Sequence, residues 1–350
     1  MLLTKMESEA REAPEVLAKQ FSANKTVLQE VVRAIQKIKP TVCMTIARGS
    51  SDHAATFAKY LLETRAGIMT ASAAPSVLTI YQKKLSVKNC LVLGISQSGA
   101  SPDIVEMMTI ARAGGGITVA FVNEINSPLA AAAEYVVPLN AGVERAVAAT
   151  KTYLATLGAL IQFIAMLTQD NALLDALERF PTILKMAAEQ DWSAAVAAYL
   201  NAKNTFVIGR GYSFPAAQEA ALKFKETAKI HAEAFSSAEL LHGPFALVEK
   251  NFPLLMFAQQ DESFAGTLAI ATRMKNMGAN ILLASPQRDQ AVQTIQDAAS
   301  IYLPLPQGLH PICDPLLIVQ AFYVMMARLS VARGLNPDEP SDLTKVTKTW

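Results

Sequence analysis

The sequence predicts an α/β protein made of two tandem doubly wound parallel-sheet domains, and three observations carry that prediction. First, short apolar runs meet Gly, Ser or Gln and then pass into a helical period. This happens at Val42–Ile46, Cys90–Ile95, Thr205–Ile208 and Phe252–Phe257. It is the pattern of parallel strands joined by crossover helices. Second, the chain repeats itself. The stretch from Ile46 (Ile-Ala-Arg-Gly-Ser-Ser-Asp-His-Ala-Ala) matches the one from Ile208 (Ile-Gly-Arg-Gly-Tyr-Ser-Phe-Pro-Ala-Ala), 162 positions further along. The same offset lays Leu91–Asn123 over Pro253–Ser285 without a gap, so two copies of one unit make up the chain. Third, 350 residues suffice for about two domains, each burying its own core.

The elements follow in order. Residues 1–40 form an N-terminal helical segment, with helical pattern over Glu7–Lys39. Residues 41–185 form the first domain, and further strands are expected at Ile117–Val122 and Tyr135–Leu139. A second helical stretch, Tyr153–Leu200, leads into the other domain, residues 186–335, where Ile281–Ala284 and Ser300–Leu305 are also strand-like. Residues 336–350 form a C-terminal tail. No low-complexity run interrupts this order.

Composition excludes several classes. Net charge is +1, which gives no footing for nucleic acid or an acidic membrane. The three cysteines, Cys43, Cys90 and Cys313, have no paired spacing for zinc or disulfides. The first residues, Met1–Glu9, are acidic and lack the apolar core of a signal peptide. The apolar stretch Tyr153–Leu167 is shorter than a membrane span and reads as a buried helix. Expected, then, is a cytoplasmic protein without a metal or cofactor. That helix is also a candidate dimer interface.

Gly94–Asp103 (Gly-Ile-Ser-Gln-Ser-Gly-Ala-Ser-Pro-Asp) is the most informative segment. A buried strand that opens into Ser96, Gln97, Ser98 and Ser101 at a helix N-terminus makes a phosphate cradle. Free backbone N–H groups and the helix dipole favour an anion, and hydroxyls add donors without charge. The blander alternative is a capped strand–helix turn. The second copy differs, with Ala258, Gln259, Gln260 and Asp261 in its place. Asp261 would repel phosphate, so only the first copy is expected to bind it.

Glu219, Lys223 and Glu226 recur at i, i+4 and i+7 and share one helical face. Alone, this is an exposed salt-bridge ladder. The helix, however, opens after a strand–turn, Gly209–Ser213, where such folds gather ligands, and Ala216, Ala217, Ala220 and Ala221 imply close packing. His242 precedes Gly243-Pro244 on a rigid turn and can exchange a proton near neutral pH. His53 and His231 fall inside helical patterns; His310 lies in a loop.

Together, Ser96–Gly99, the Glu219–Glu226 helix, Ile230–Ala234, Glu239–Pro244, the opening Met6–Glu15 and the tail Asp342–Lys345 resemble the sugar isomerase (SIS) domains of glucosamine-6-phosphate synthase. The resemblance covers nearly the whole chain and implies the flavodoxin-like SIS fold. It implies phosphate held by Ser50, Ser51, Ser96, Gln97, Ser98 and Ser101. It implies Glu226 as the base between carbons 1 and 2, assisted by Glu219 and Lys223. His242, from a second subunit of a homodimer, would open the sugar ring. Lys345 would cover the site and can form a Schiff base with the keto sugar. Val147 and the Thr150–Lys151 region would line the sugar. Three positions depart from the synthase pattern: Arg48 for cysteine, Ala100 for glutamate and Ala149 for serine.

The synthase also has a glutaminase half ahead of its isomerase half, and these 350 residues align with the isomerase half alone. Hydrolysis is therefore the expected direction: glucosamine 6-phosphate and water to fructose 6-phosphate and ammonia. A second reading takes galactosamine 6-phosphate or a fructosyl-amino-acid 6-phosphate as substrate. A third, a sugar-phosphate sensor, requires a basic DNA-binding face. Glu7, Glu9, Glu12 and Glu15 oppose that.

Overall fold

The protein is described by a computed structural model covering residues 3–286, 292–341 and 343–345. In chain order, α1 (Lys5–Ala23) and α2 (Lys25–Ile38) precede β1 (Val42–Ile46), α3 (Ser50–Leu61), β2 (Met69–Ser72) and α4 (Pro75–Thr79). Then come β3 (Leu91–Ser96), α5 (Pro102–Ala113), β4 (Ile117–Val122), α6 (Pro128–Ala132) and β5 (Tyr135–Pro138). Three helices follow, α7 (Lys151–Thr168), α8 (Asn171–Ala188) and α9 (Ser193–Tyr199). The rest is β6 (Asn204–Gly209), α10 (Phe214–Ala228), β7 (His231–Ser236), β8 (Pro253–Phe257), α11 (Phe264–Asn276), β9 (Asn280–Ala284), α12 (Val292–Ala298), β10 (Ile301–Leu303) and α13 (Asp314–Ala332).

The described residues divide into two compact units. One holds residues 15–144, 151–178 and 344–345; the other holds 3–14, 145–150 and 179–343. Each contains one five-stranded sheet with every pairing parallel. The orders are β2-β1-β3-β4-β5 and β10-β9-β8-β6-β7. Read from the other edge, the second order reproduces the first, as the internal repeat requires. β3 and β4 are buried at every residue because helices cover both faces of a parallel sheet.

The sequence pattern misses β2 and β7, and both are edge strands. β2 buries only Thr70 of its four residues, and β7 reads His-Ala-Glu-Ala-Phe-Ser, too polar for a core strand. His231 therefore opens β7 rather than lying in a helix. Lys229, in left-handed conformation with φ of 52°, ends α10 just before it. His53 does lie in a helix, α3. The stretch Glu7–Lys39 is two helices parted at Asn24, whose amide donates to the Pro138 carbonyl at 2.8 Å. Tyr153–Leu200 is three helices, the first break falling at Gln169 with φ of 56°.

The stretch read as a buried helix is one, and α7 leaves little apolar surface for the dimer interface also expected of it. α7 buries Lys151 through Ala165 within its own unit, and Phe163 meets Phe121 of β4 edge-on, centroids 6.0 Å apart. α7 and Pro311–Ala332 are the two described segments long and apolar enough to cross a membrane, and each is 83% buried in the protein. Pro311–Ala332 is the longer of the two and was not singled out by sequence.

Candidate active site

The first cradle stands where strand order reverses, between β1 and β3, the switch point at which doubly wound sheets take ligands. Two helices start there. α3 begins at Ser50 after Gly49, whose φ of +54° suits glycine, and α5 begins after Ser101. Ser101 makes no side-chain cap to α5, and α3 has no side-chain cap either. The capped-turn alternative thus lacks its defining bond.

Ser96 Oγ accepts the Gly99 N–H at 2.9 Å and folds the loop back on itself. Gly99, at φ +61°, could not carry a side chain, since a Cβ would sit 2.1 Å from Ser127 Oγ. Ser98 Oγ accepts the Ala100 N–H at 3.4 Å. Ser50, Ser51, Gln97, Ser98 and Ser101 are all partly open to solvent, whereas Ser96 is buried. Beside them, Arg48 Nη2 and Nε reach Asp103 Oδ2 at 2.8 and 3.2 Å. Burial pushes the Asp52 carboxyl up, against the pull of His53 and Arg48 and a hydrogen bond with Ser72.

The second copy folds the same turn and fills it from within. Gly211 repeats Gly49 with φ of +55°. Gln259 Nε2 donates to the Arg210 carbonyl and to Asp261 Oδ2, both at 2.8 Å, and to Ser263 Oγ at 3.2 Å. Asp261 Oδ1 accepts the Ser263 N–H at 2.8 Å and its hydroxyl at 2.6 Å. A carboxylate of the loop itself takes up these donors, where the first copy has Gly99.

The charged face of α10 is no exposed ladder. Lys223 Nζ lies 3.2 Å from Glu219 Oε1 and 2.6 Å from Glu226 Oε2, with side-chain exposures of 1%, 0% and 23% respectively. Burial works to depress the Lys223 ammonium, yet the two carboxylates overcome it and hold it above the usual lysine range. Tyr323 of α13, fully buried, donates its hydroxyl to Glu219 Oε1 at 2.8 Å. The cluster therefore presents one partly open carboxylate, Glu226, backed by a fixed ammonium.

His242 closes a short 3₁₀ turn, Glu239–His242, and is exposed. His310 is a cap: its Nδ1 accepts the Ile312 N–H at 3.2 Å. Val147 is partly exposed and donates its N–H to the Asp338 carbonyl at 3.0 Å. Lys151 and Thr150 are buried. Lys345 Nζ pairs with Glu144 Oε2 at 2.9 Å, and Glu144 Oε1 accepts the Thr152 N–H at 3.1 Å in the first turn of α7. Asp342, in the same tail segment, lies outside the described residues.

Tyr323 and Glu144 escape sequence reading. Tyr323 left one signal, a hydroxyl in a long apolar helix, where burial demands a partner. Glu144 sits in a loop without periodicity and left none.

The SIS domain family matches residues 41–166 and again 198–324. The chain belongs to the SIS family. A glutamine–fructose-6-phosphate aminotransferase (isomerizing) of Methanothermobacter thermautotrophicus is 31% identical over 324 residues, covering 91% of this chain and 54% of that protein. The SIS chain thus spans about half the length of the curated relatives it matches. A solved structure from Silicibacter pomeroyi DSS-3, assigned to the phosphosugar isomerases, superposes with a TM-score of 0.88. It is 35% identical and covers 96% of this chain and all of that one. Glucosamine-6-phosphate deaminase of Thermotoga maritima shares the fold, with a TM-score of 0.74 at 18% identity over 99% of this chain and 100% of that one.

Two outcomes are expected. In crystals soaked with a sugar phosphate, density for the phosphate should appear at Ser96–Ser101 and not at Ala258–Asp261; the reverse occupancy would overturn the contrast between the cradles. Replacing Lys223 by Met should cost about 3–5 kcal/mol in urea unfolding, because Glu219 stays buried without its cation. The folded state raises the lysine's proton affinity, so this stabilisation is complete below pH ~10.4 and fades only above it. In the variant, Glu219 buried without its cation holds a proton more readily, so the gap between the two proteins should widen as pH rises from about 6 to 9 and narrow toward acid.

Proposed function

We propose that this SIS protein is a glucosamine-6-phosphate deaminase, converting glucosamine 6-phosphate and water to fructose 6-phosphate and ammonia. The single observation behind this reading is Glu226, a partly open carboxylate at the end of an otherwise buried charge cluster. A proton shuttle between adjacent carbons must reach its substrate and keep a fixed direction. Lys223 provides the second property by holding the carboxylate at 2.6 Å. The likeness to aminotransferases acting on fructose 6-phosphate and to phosphosugar isomerases supports the substrate class.

In this reading the first cradle grips the phosphate and His242 moves the proton that opens the ring. Glu226 then takes the carbon 2 proton from the open-chain aldehyde, giving an enaminol, and returns it at carbon 1. The resulting imine at carbon 2 is hydrolysed by water, releasing ammonia. Lys345, held against Glu144 at 2.9 Å, covers the site in this reading. The reading further places the protein in the cytoplasm as a homodimer, with His242 supplied by the second subunit and no metal, cofactor, membrane or nucleic acid involved. His242 is exposed, as are Leu241 and Leu247 around it, which suits a residue that serves a neighbouring copy.

Ammonia release should be measured across glucosamine, N-acetylglucosamine and galactosamine 6-phosphates, with glucosamine 6-phosphate expected to be turned over fastest. Glu226→Gln should lower that rate by ~10²–10⁴-fold with little change in sugar-phosphate affinity. Ser98→Ala should instead weaken capture more than chemistry. Near wild-type ammonia release by Glu226→Gln would remove the base assignment. Sedimentation at assay concentration checks the composite site: the active species should be a dimer, and a fully active monomer would refute it. His242→Asn should slow turnover of the cyclic sugar while sparing an open-chain analogue.

A further inference from the structure

Arg48 is unused by the function above, yet the structure invests in it. It leaves the end of β1 in the turn before α3 and lies against the first turn of α5, beside Ser98 and Ser101 in sequence. Both Nη2 and Nε converge on one oxygen, Asp103 Oδ2, and Asp103 is buried. Its other oxygen, Oδ1, accepts the Ile104 N–H at 2.9 Å. The guanidinium is thus fixed in direction from one side while its side chain stays 50% exposed. Nη1 makes no hydrogen bond to any described residue. The Asp52 carboxyl lies within electrostatic reach of it.

The internal repeat supplies a control. Arg210 occupies the equivalent position in the second copy, where the cradle is filled by Asp261. There the counterpart of Asp103 is Ala265, and Arg210 is exposed. The buried carboxylate that aims the arginine accompanies only the cradle that is open to an anion.

We propose that Arg48 is a specificity-determining residue that makes the first cradle select a phosphate dianion over a singly charged ester. The proposal rests on the reading of Ser96–Ser101 as the phosphate site. Every other member of that cradle (Ser50, Ser51, Ser96, Gln97, Ser98, Ser101) is neutral. Hydroxyls and backbone dipoles distinguish poorly between one negative charge and two. An aimed guanidinium with unspent N–H donors adds a full charge in a planar fork suited to phosphate oxygens. Asp103 fixes the guanidinium at one edge and leaves the opposite edge for the ligand.

The test is calorimetric titration at pH 8 with glucitol 6-phosphate and glucitol 6-sulfate. Neither reduced sugar can isomerise or release ammonia, so binding is read independently of turnover. The phosphate ester is mostly dianionic there and the sulfate ester is a monoanion. Wild type should prefer the phosphate. Arg48→Met should weaken phosphate binding by ~10- to 100-fold and sulfate binding much less, collapsing the preference. Arg48→Lys should keep part of it. The double variant Arg48→Met/Asp103→Asn removes the stranded buried carboxylate and should remain weak for phosphate.

An unchanged phosphate-to-sulfate ratio in Arg48→Met would overturn the proposal. So would wild-type affinity in the double variant, since the loss would then come from Asp103. Ser98→Ala separates the two levels. If it leaves both ligands unaffected, the cradle reading falls and Arg48's role with it; if it weakens both while Arg48→Met does nothing, Arg48 alone is refuted.

Discussion

One buried ammonium organises the charge cluster of α10. Lys223 has no access to water, and transferring such a charge to the interior costs several kcal/mol even after relaxation. Glu219 and Glu226 offset that cost, and in doing so each becomes dependent on Lys223 for its place. The arrangement carries two carboxylates for one ammonium, and well-packed apolar residues are often as stable as such a buried charge cluster or more so. Tyr323 adds a further donor to Glu219, the carboxylate that water cannot reach. A cluster that is costly to assemble, partnered at its buried end and partly open at Glu226 is weak evidence for stabilisation and has the form in which functional sites hold charge.

The two copies show how far one backbone can be turned to different ends. Strand order, parallel pairing and the left-handed glycine after the first strand are common to both. The difference lies in a few loop side chains. The first loop has Gly99 where the second has Asp261, and that carboxylate satisfies the Gln259 amide and the Ser263 N–H within the loop. A fold of this kind constrains where a ligand site stands, at the switch point of the sheet, and leaves to the loops whether it exists. In the second copy the helix after the first strand, α10, carries the charge cluster instead.

Much of this was legible in the sequence because it is written in periodicity. The repeat and the apolar runs predicted eight of the ten strands, and spacing alone put Glu219, Lys223 and Glu226 on one face. What the pattern lacked was the environment. β2 and β7 escaped because an edge strand needs only one covered side, so Thr70 or an alternating Ala is enough to hold it. The burial of α7 was legible, but not what buries it, because an all-round apolar helix looks the same whether its own chain or another copy covers it. Contacts between residues far apart in sequence, such as Tyr323 with Glu219 and Lys345 with Glu144, follow from tertiary packing alone.

The pairing of Lys345 with Glu144 changes how the tail is to be understood. Lys345 Nζ lies 2.9 Å from Oε2 of Glu144, whose side chain is wholly buried. Glu144 is itself fixed by the Thr152 N–H at the start of α7, where the helix dipole favours negative charge. A charge pair with one partner wholly buried is costly to break, because removing either side chain leaves the other without its counter-charge. The pair therefore anchors Lys345 to the start of α7 through a specific contact between residues 201 positions apart, which no local periodicity announces.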